Sequence, residues 1–255
     1  MLRANGRPPA RLREVETALG PARALIEEPD GAPSFLLALT HGAGGGIDAP
    51  DLLAVRDAAL RLGGAVARIT QPYRVRGARA PGSAPRQDAA WVEIITALRG
   101  WPPGGPAGPA GPLPPRPGES LPPAGQSGLF PLAQGGLLPL VQGGRSNGAR
   151  VACRTAGAAG AAAVLALAFP LHPPGRPDKS RADELRAAGV DVLVINGDRD
   201  PFGIPDEADA TRVVVLPGQT HALSGAARSI EREVSVWLGA VLAGGRAVST
   251  RARRA

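Results

Sequence analysis

Residues 144–148, Gly144-Arg145-Ser146-Asn147-Gly148, match the pattern G-x-S-x-G, in which a serine hydroxyl stands on a sharp turn between a strand and a helix. A serine so placed suits acyl transfer. Attack on a carbonyl carbon needs a base to take the hydroxyl proton, an acid to orient that base, and N–H donors to hold the developing oxyanion. The pattern alone is weak: with 35 Gly and 10 Ser in 255 residues, about 0.2 matches are expected by chance. Context adds weight. LLPLV (137–141) reads as a strand before the serine, and residues 146–156 read as a helix after it.

The other groups such chemistry needs follow in a set order. In sheets of this kind the serine comes first, then an Asp or Glu, then a His, each acid or base on a loop after a later strand. After VDVLVI (190–195) comes Asn196-Gly197-Asp198-Arg199-Asp200-Pro201-Phe202, which offers two carboxylates. After RVVVLP (212–217) comes Gly218-Gln219-Thr220-His221. After FLLAL (35–39) comes Thr40-His41-Gly42-Ala43-Gly44-Gly45-Gly46, where glycines let backbone N–H groups face a ligand.

The elements that must position these loops alternate along the chain. Strands are expected at 35–39, 65–69, 137–141, 164–169, 190–195 and 212–216. Helices are expected at 50–62, 86–99, 146–156, 180–188 and 230–242. Runs of about five apolar residues alternating with helices predict an α/β fold with a mostly parallel sheet covered on both faces. Aromatic residues are only 3% of the chain, so Ala, Val and Leu must fill the core. Trp91, at helical spacing with Ile94, Ile95 and Leu98, is expected in it.

Segment 101–136 stands apart, with eleven of the 28 prolines and no hydrophobic periodicity. Such composition cannot offset its ordering entropy, so a disordered insertion is expected there; its PLPPRP stretch is an alternative ligand for an SH3-type module. The basic ends, 1–13 and 243–255, are expected to be disordered, which leaves one domain over 14–242. The net charge of +7 comes from scattered Arg, with Lys179 the single lysine. No basic run with interleaved aromatics is present, and nucleic-acid binding is not expected. Cys153 is the only cysteine, which excludes an intrachain disulfide and leaves too few ligands for a structural zinc site. The first residues lack an apolar signal-peptide core, and the longest apolar run, 158–171, is too short to span a bilayer. A cytoplasmic protein without a membrane partner is expected.

HGAGGG (41–46), GGRSNGA (143–149), NGDRDPFG (196–203) and GQTHAL (218–223) together resemble the α/β-hydrolase superfamily. The similarity is greatest to its small dienelactone-hydrolase-like branch, which includes the testis-expressed hydrolase-like proteins and bacterial relatives. It covers nearly the whole chain apart from the termini and 101–136. It implies an eight-stranded, mostly parallel sheet, no cofactor or metal, and a serine-esterase type of site acting on a small-molecule ester. By the resemblance Ser146 is the nucleophile, His221 the base and Asp200 the orienting acid, while the backbone N–H groups of Ala43 and Asn147 form an oxyanion hole. Dienelactone hydrolases proper carry Cys as nucleophile; Ser146 departs from that, so the lactone substrate does not carry over.

Each assignment has a plainer alternative. Ser146 could be a helix N-cap and His221 a surface loop residue. His41 is structural in the family, and His172 comes too early in the chain order for the base but suits a substrate contact. Asp198 competes with Asp200; the family spacing of Gly, two residues, then acid favours Asp200. Cys153 is expected in the core. Arg74 and Arg145 are candidates for an anionic substrate group, or ordinary solvated arginines. Only 170–179 separates the strand after the serine's helix from the next helix, too short for a cap domain, so an open site is expected. Against the hydrolase stands the alternative of a non-catalytic scaffold or interaction module on the same fold.

Overall fold

The computed structural model describes residues 9–100 and 137–244. Segment 101–136, the tail from 245 and residues 1–8 lie outside them, and with them the expected insertion and most of both basic ends. Among the described residues eight strands form one sheet, in the order β1-β2-β4-β3-β5-β6-β7-β8. They are β1 (Arg11–Val15), β2 (Ala22–Glu27), β3 (Phe35–Thr40), β4 (Gly64–Thr70), β5 (Leu140–Arg145), β6 (Ala163–Leu167), β7 (Asp191–Gly197) and β8 (Arg212–Leu216). From β4 through β8 neighbouring strands run parallel. The β1–β2 and β2–β4 pairs are antiparallel.

The helices among the described residues are α1 (Pro50–Arg61), α2 (Pro72–Val75), α3 (Ala84–Arg99), α4 (Asn147–Ala159), α5 (Ala182–Arg186) and α6 (Ala227–Leu242). Two apolar layers sandwich the sheet. One joins Leu52, Val55 and Ala59 of α1 and Ile230, Val234 and Trp237 of α6 to Leu37, Leu39, Leu165 and Leu193. The other joins Trp91, Ile94 and Ile95 of α3 and Ala149, Ala152, Cys153 and Ala156 of α4 to Ala38, Val164 and Val194. Small side chains on α4 let that helix lie close to the sheet, as the alanine-rich composition requires. Trp91 and Cys153 are core residues, as expected. Among the described residues only α5 and its flanking loops stand between β6 and β7, and no cap covers the strand ends.

The structure corrects the expected organisation in three places. Arg11–Val15 is strand, so the ordered domain starts inside the expected disordered stretch 1–13. The hairpin of β1 and β2 was missed altogether: its alternating pattern, with Ala22, Ala24 and Ile26 inward, lacks an apolar run because one face meets water. The strand before Ser146 is 140–145 rather than 137–141, and Leu137 is exposed. Gly143 and Gly144 read as turn residues but lie in the middle of the sheet, where β3 and β6 crowd them. A Cβ on Gly143 would stand 2.5 Å from the Leu165 carbonyl oxygen.

Candidate active site

The turn from β5 to α4 is forced by its glycines. A Cβ on Gly144 would approach the Gly148 carbonyl carbon to 2.7 Å and the Thr40 oxygen to 2.8 Å. One on Gly148 would approach the His41 oxygen to 2.7 Å. Bare backbone at both positions lets the first turn of α4 pack onto the end of β3. Between them Ser146 holds φ 54 and ψ −114, a conformation that costs a non-glycine residue about 1–3 kcal/mol. Its N–H donates to the Leu167 carbonyl (2.9 Å), which pins the strained residue to β6. Its side chain makes no capping hydrogen bond to α4, contrary to the N-cap alternative.

The side chain turns instead to the loop after β8. Ser146 Oγ lies 2.9 Å from His221 Nε2, and His221 Nδ1 lies 2.8 Å from Asp200 Oδ2. The structure therefore joins the three sequence candidates in one hydrogen-bonded chain. With Nδ1–H donating to the carboxylate, Nε2 is left as an acceptor facing the hydroxyl. The Asp200 carboxylate is wholly shielded from solvent and the His221 ring largely so, at 0% and 19% exposure. Asp200 is held from several sides: Oδ1 accepts from the Phe202 N–H (2.9 Å), and Asn196 Nδ2 lies 3.4 Å from Oδ2. Asp198, two residues earlier on the same loop, is exposed.

The loop after β3 faces the same strand ends. Gly45 N–H donates to the Gly42 carbonyl (3.0 Å), closing its turn, and the Tyr73 hydroxyl donates to the Ala43 carbonyl (3.3 Å). Asn147, the first residue of α4, is steadied by Gln87, whose Oε1 accepts from Asn147 Nδ2 (2.7 Å). His41 is fully engaged elsewhere. Its Nδ1–H donates to the Gly42 carbonyl (2.8 Å), and its Nε2 accepts from the Gln71 N–H (3.1 Å). This pairing needs a neutral ring, and burial holds His41 below the usual imidazole range, opposing the Gly42 hydrogen bond, with the Arg74 charge adding to the depression. Because the folded value is the lower one, the stability gained from neutral His41 is fully present above about pH 6.5, the unfolded imidazole value. It declines as pH falls from there toward the folded value. In an NMR titration the His41 ring resonances are expected to keep their neutral-ring positions below that pH; movement through the ordinary midpoint would contradict the assignment.

The remaining candidates make other contacts. His172 donates its N–H to the Phe202 carbonyl (2.9 Å), and its ring packs beside Gly203, where a Cβ would stand 2.4 Å from Nε2. Its Nδ1 lies 2.8 Å from the Pro173 carbonyl, and the ring is held to the loop after β7. Arg74 on α2 donates to the Ala78 carbonyl at 3.4 Å and is half-buried. Arg145 is committed: its Nε lies 2.8 Å from Asp51 Oδ2, and its Nη2 donates to the His221 carbonyl (2.8 Å). Cys153 is no rival nucleophile, because burial pushes its thiol up to about 12. Sequence reading missed Phe202, whose ring packs on His221 with centroids 4.3 Å apart and planes 37° apart. It also missed Asn196, whose Oδ1 accepts from the Phe169 N–H (2.8 Å). An asparagine and an aromatic flanking the acid were the available signal.

Among the described residues no group of three or more His, Cys, Asp and Glu could hold a metal ion, and no helix is long and apolar enough to cross a membrane.

A family model described as an alpha/beta hydrolase domain matches residues 126–235. No curated protein matches the chain in sequence. Among solved structures, the chain is similar to Est1E from Butyrivibrio proteoclasticus, with 13% identity, a TM-score of 0.64, and coverage of 91% of this chain and 99% of that one. A dienelactone hydrolase from Anabaena variabilis superposes with 18% identity and a TM-score of 0.61 over 91% of this chain and 98% of that one. A serine hydrolase without lid from Xanthomonas campestris gives 18% identity and a TM-score of 0.55 over 96% and 95%.

Proposed function

We propose that the chain is a serine hydrolase of the α/β-hydrolase superfamily, of carboxylesterase or thioesterase type, acting on a small acyl ester; the hydrolase-domain match over 126–235 and the shared fold support this reading. The observation that carries the proposal is the chain Ser146 Oγ–His221 Nε2–His221 Nδ1–Asp200 Oδ2, with links of 2.9 and 2.8 Å. It stands at the open end of the sheet beside a glycine loop.

In the proposed cycle His221 Nε2 takes the Ser146 proton as Oγ attacks the acyl carbon. The oxyanion forms against the N–H groups of Asn147 and Ala43, which are fixed by the start of α4 and by the turn after β3. The imidazolium then gives its proton to the departing alcohol or thiol, leaving an acyl group on Ser146. Water, deprotonated by the same ring, attacks this ester and returns the serine. Asp200 stays ionised throughout and keeps Nδ1–H pointed away from the reaction. The strained φ of Ser146 serves the step by holding Oγ clear of the backbone. Est1E, which is similar to this chain in fold, binds ferulic acid, and this carboxylic ligand supports the acyl substrate proposed here. Arg74 is proposed as a contact for an anionic substrate group, and His172 as a further substrate contact. A solely structural role for the fold leaves the aligned Ser146–His221 pair without a reason.

The test is hydrolysis of short-chain aryl esters across pH. Only neutral imidazole can accept the serine proton, so turnover is expected to fall in acid as the ring is protonated. His221→Ala should remove most of it. Equal turnover in wild type and His221→Ala would refute the proposal.

A further inference from the structure

Arg145 precedes Ser146 at the end of β5, so its guanidinium rides on the backbone that carries the hydroxyl. It reaches three other elements. Its Nε stands 2.8 Å from Oδ2 of Asp51 on the first turn of α1; that residue is only 2% exposed. Nε does not aim its N–H along this contact, and the pairing is one of charge. Nη2 donates to the His221 carbonyl (2.8 Å). Nη1 lies over Gly42, 3.6 Å from where a Cβ would sit, which places the fork against the glycine loop as well.

The loop that carries His221 needs such a hold. It follows β8, the last strand of the sheet, and Val215 there is 43% exposed. Gln219 is tied to the loop after β7 through the Arg199 N–H (2.9 Å), but this tether lies two residues short of the ring. At His221 itself the backbone is held by Arg145. The Asp51 carboxylate is fixed in turn, with Oδ1 accepting from the Leu52 N–H (2.9 Å), so the guanidinium works from a rigid anchor.

We propose that Arg145 is a positioning residue for the hydrolase reaction, which sets the His221 ring against the Ser146 hydroxyl by holding the His221 carbonyl, with buried Asp51 as its anchor. The proposal rests on the hydrolase reading. It replaces the expectation that Arg145 binds an anionic substrate, since its charge is paired with Asp51 and its Nη2 is bonded to the His221 carbonyl. The arginine fork matters: a lysine ammonium is a single point of charge and cannot meet Asp51 and the His221 carbonyl with two separate arms.

Two variants test it. Arg145→Lys keeps the charge opposite Asp51. Asp51→Asn/Arg145→Met removes both charges together, so neither is stranded in the interior. Both are expected to fold with melting temperatures near that of the wild type. In both, kcat should fall about 10- to 100-fold with KM within about threefold, the scale of a displacement of roughly 1 Å at the reacting groups. Amide hydrogen exchange over 217–223 should rise in both, while other segments stay as in the wild type. Unchanged exchange there in the folded variants would overturn the proposal. So would a raised KM with unchanged kcat, which would make Arg145 a substrate contact. The exchange readout does not require activity, so a wild type that hydrolyses no ester would sink the hydrolase reading while leaving the tether to be decided by exchange.

Discussion

Ser146→Ala is expected to lower turnover of a short-chain aryl ester by roughly 10⁶-fold, the scale seen when a serine hydrolase of this chemistry loses its nucleophile. The loss should come without unfolding. The Ser146 N–H to Leu167 bond is made by the main chain and survives the change. Alanine pays the same penalty at φ 54 that serine already pays, because both carry a Cβ. What disappears is one hydroxyl and its 2.9 Å contact to His221. Circular dichroism and thermal melting should therefore match the wild type while the rate falls to the background of the assay. A rate within tenfold of the wild type would remove Ser146 from the reaction.

The second large effect separates two acids on one loop. Asp200→Asn should reduce kcat by about 10⁴-fold, because an amide facing Nδ1 no longer fixes the tautomer that leaves Nε2 free to accept. The fold should hold, since an asparagine Oδ1 can still accept from the Phe202 N–H, the bond now 2.9 Å long. Asp198→Asn should cost tenfold or less. Asp198 contributes a backbone N–H to the Leu216 carbonyl (3.1 Å), which the substitution leaves intact, and its side chain is exposed. Steady-state kinetics on both purified variants decides the matter, and the reverse ranking would move the acid to Asp198.

Features carried by local pattern were legible in the sequence. The parallel strands β3, β4, β6 and β7 are mostly apolar runs buried on both faces, and β8, though half-exposed at the sheet edge, is a run of valines; such runs need no partner to be read. The serine turn, the acid loop and the histidine loop each follow one of the sheet's parallel strands, so chain order alone predicted that they would meet. Features set by distant contacts were not legible. The β1–β2 hairpin alternates charge with small apolar residues, and its strand character comes from pairing with β4. The end of β5 was placed too early, at 141 rather than 145, because Gly143 and Gly144, of a type that usually marks turns, are required here by the closeness of β3 and β6. Arg145 looked like a free cation. Its partners, Asp51 and the His221 carbonyl, lie 94 and 76 residues away in sequence, and no local signal announces such a pairing. Phe202 and Asn196 are read as site residues only once the loop after β7 is seen to fold back on itself.

The most direct test of the hydrolase reading is where a fluorophosphonate probe attaches. Trypsin cuts after Arg145 and Arg150 and releases residues 146–150, Ser-Asn-Gly-Ala-Arg, in which Ser146 is the one hydroxyl. Mass spectrometry of probe-treated wild-type protein is expected to find the phosphonyl adduct on this peptide and no adduct in Ser146→Ala. An unlabelled peptide 146–150, or equal labelling of the two proteins, would contradict it.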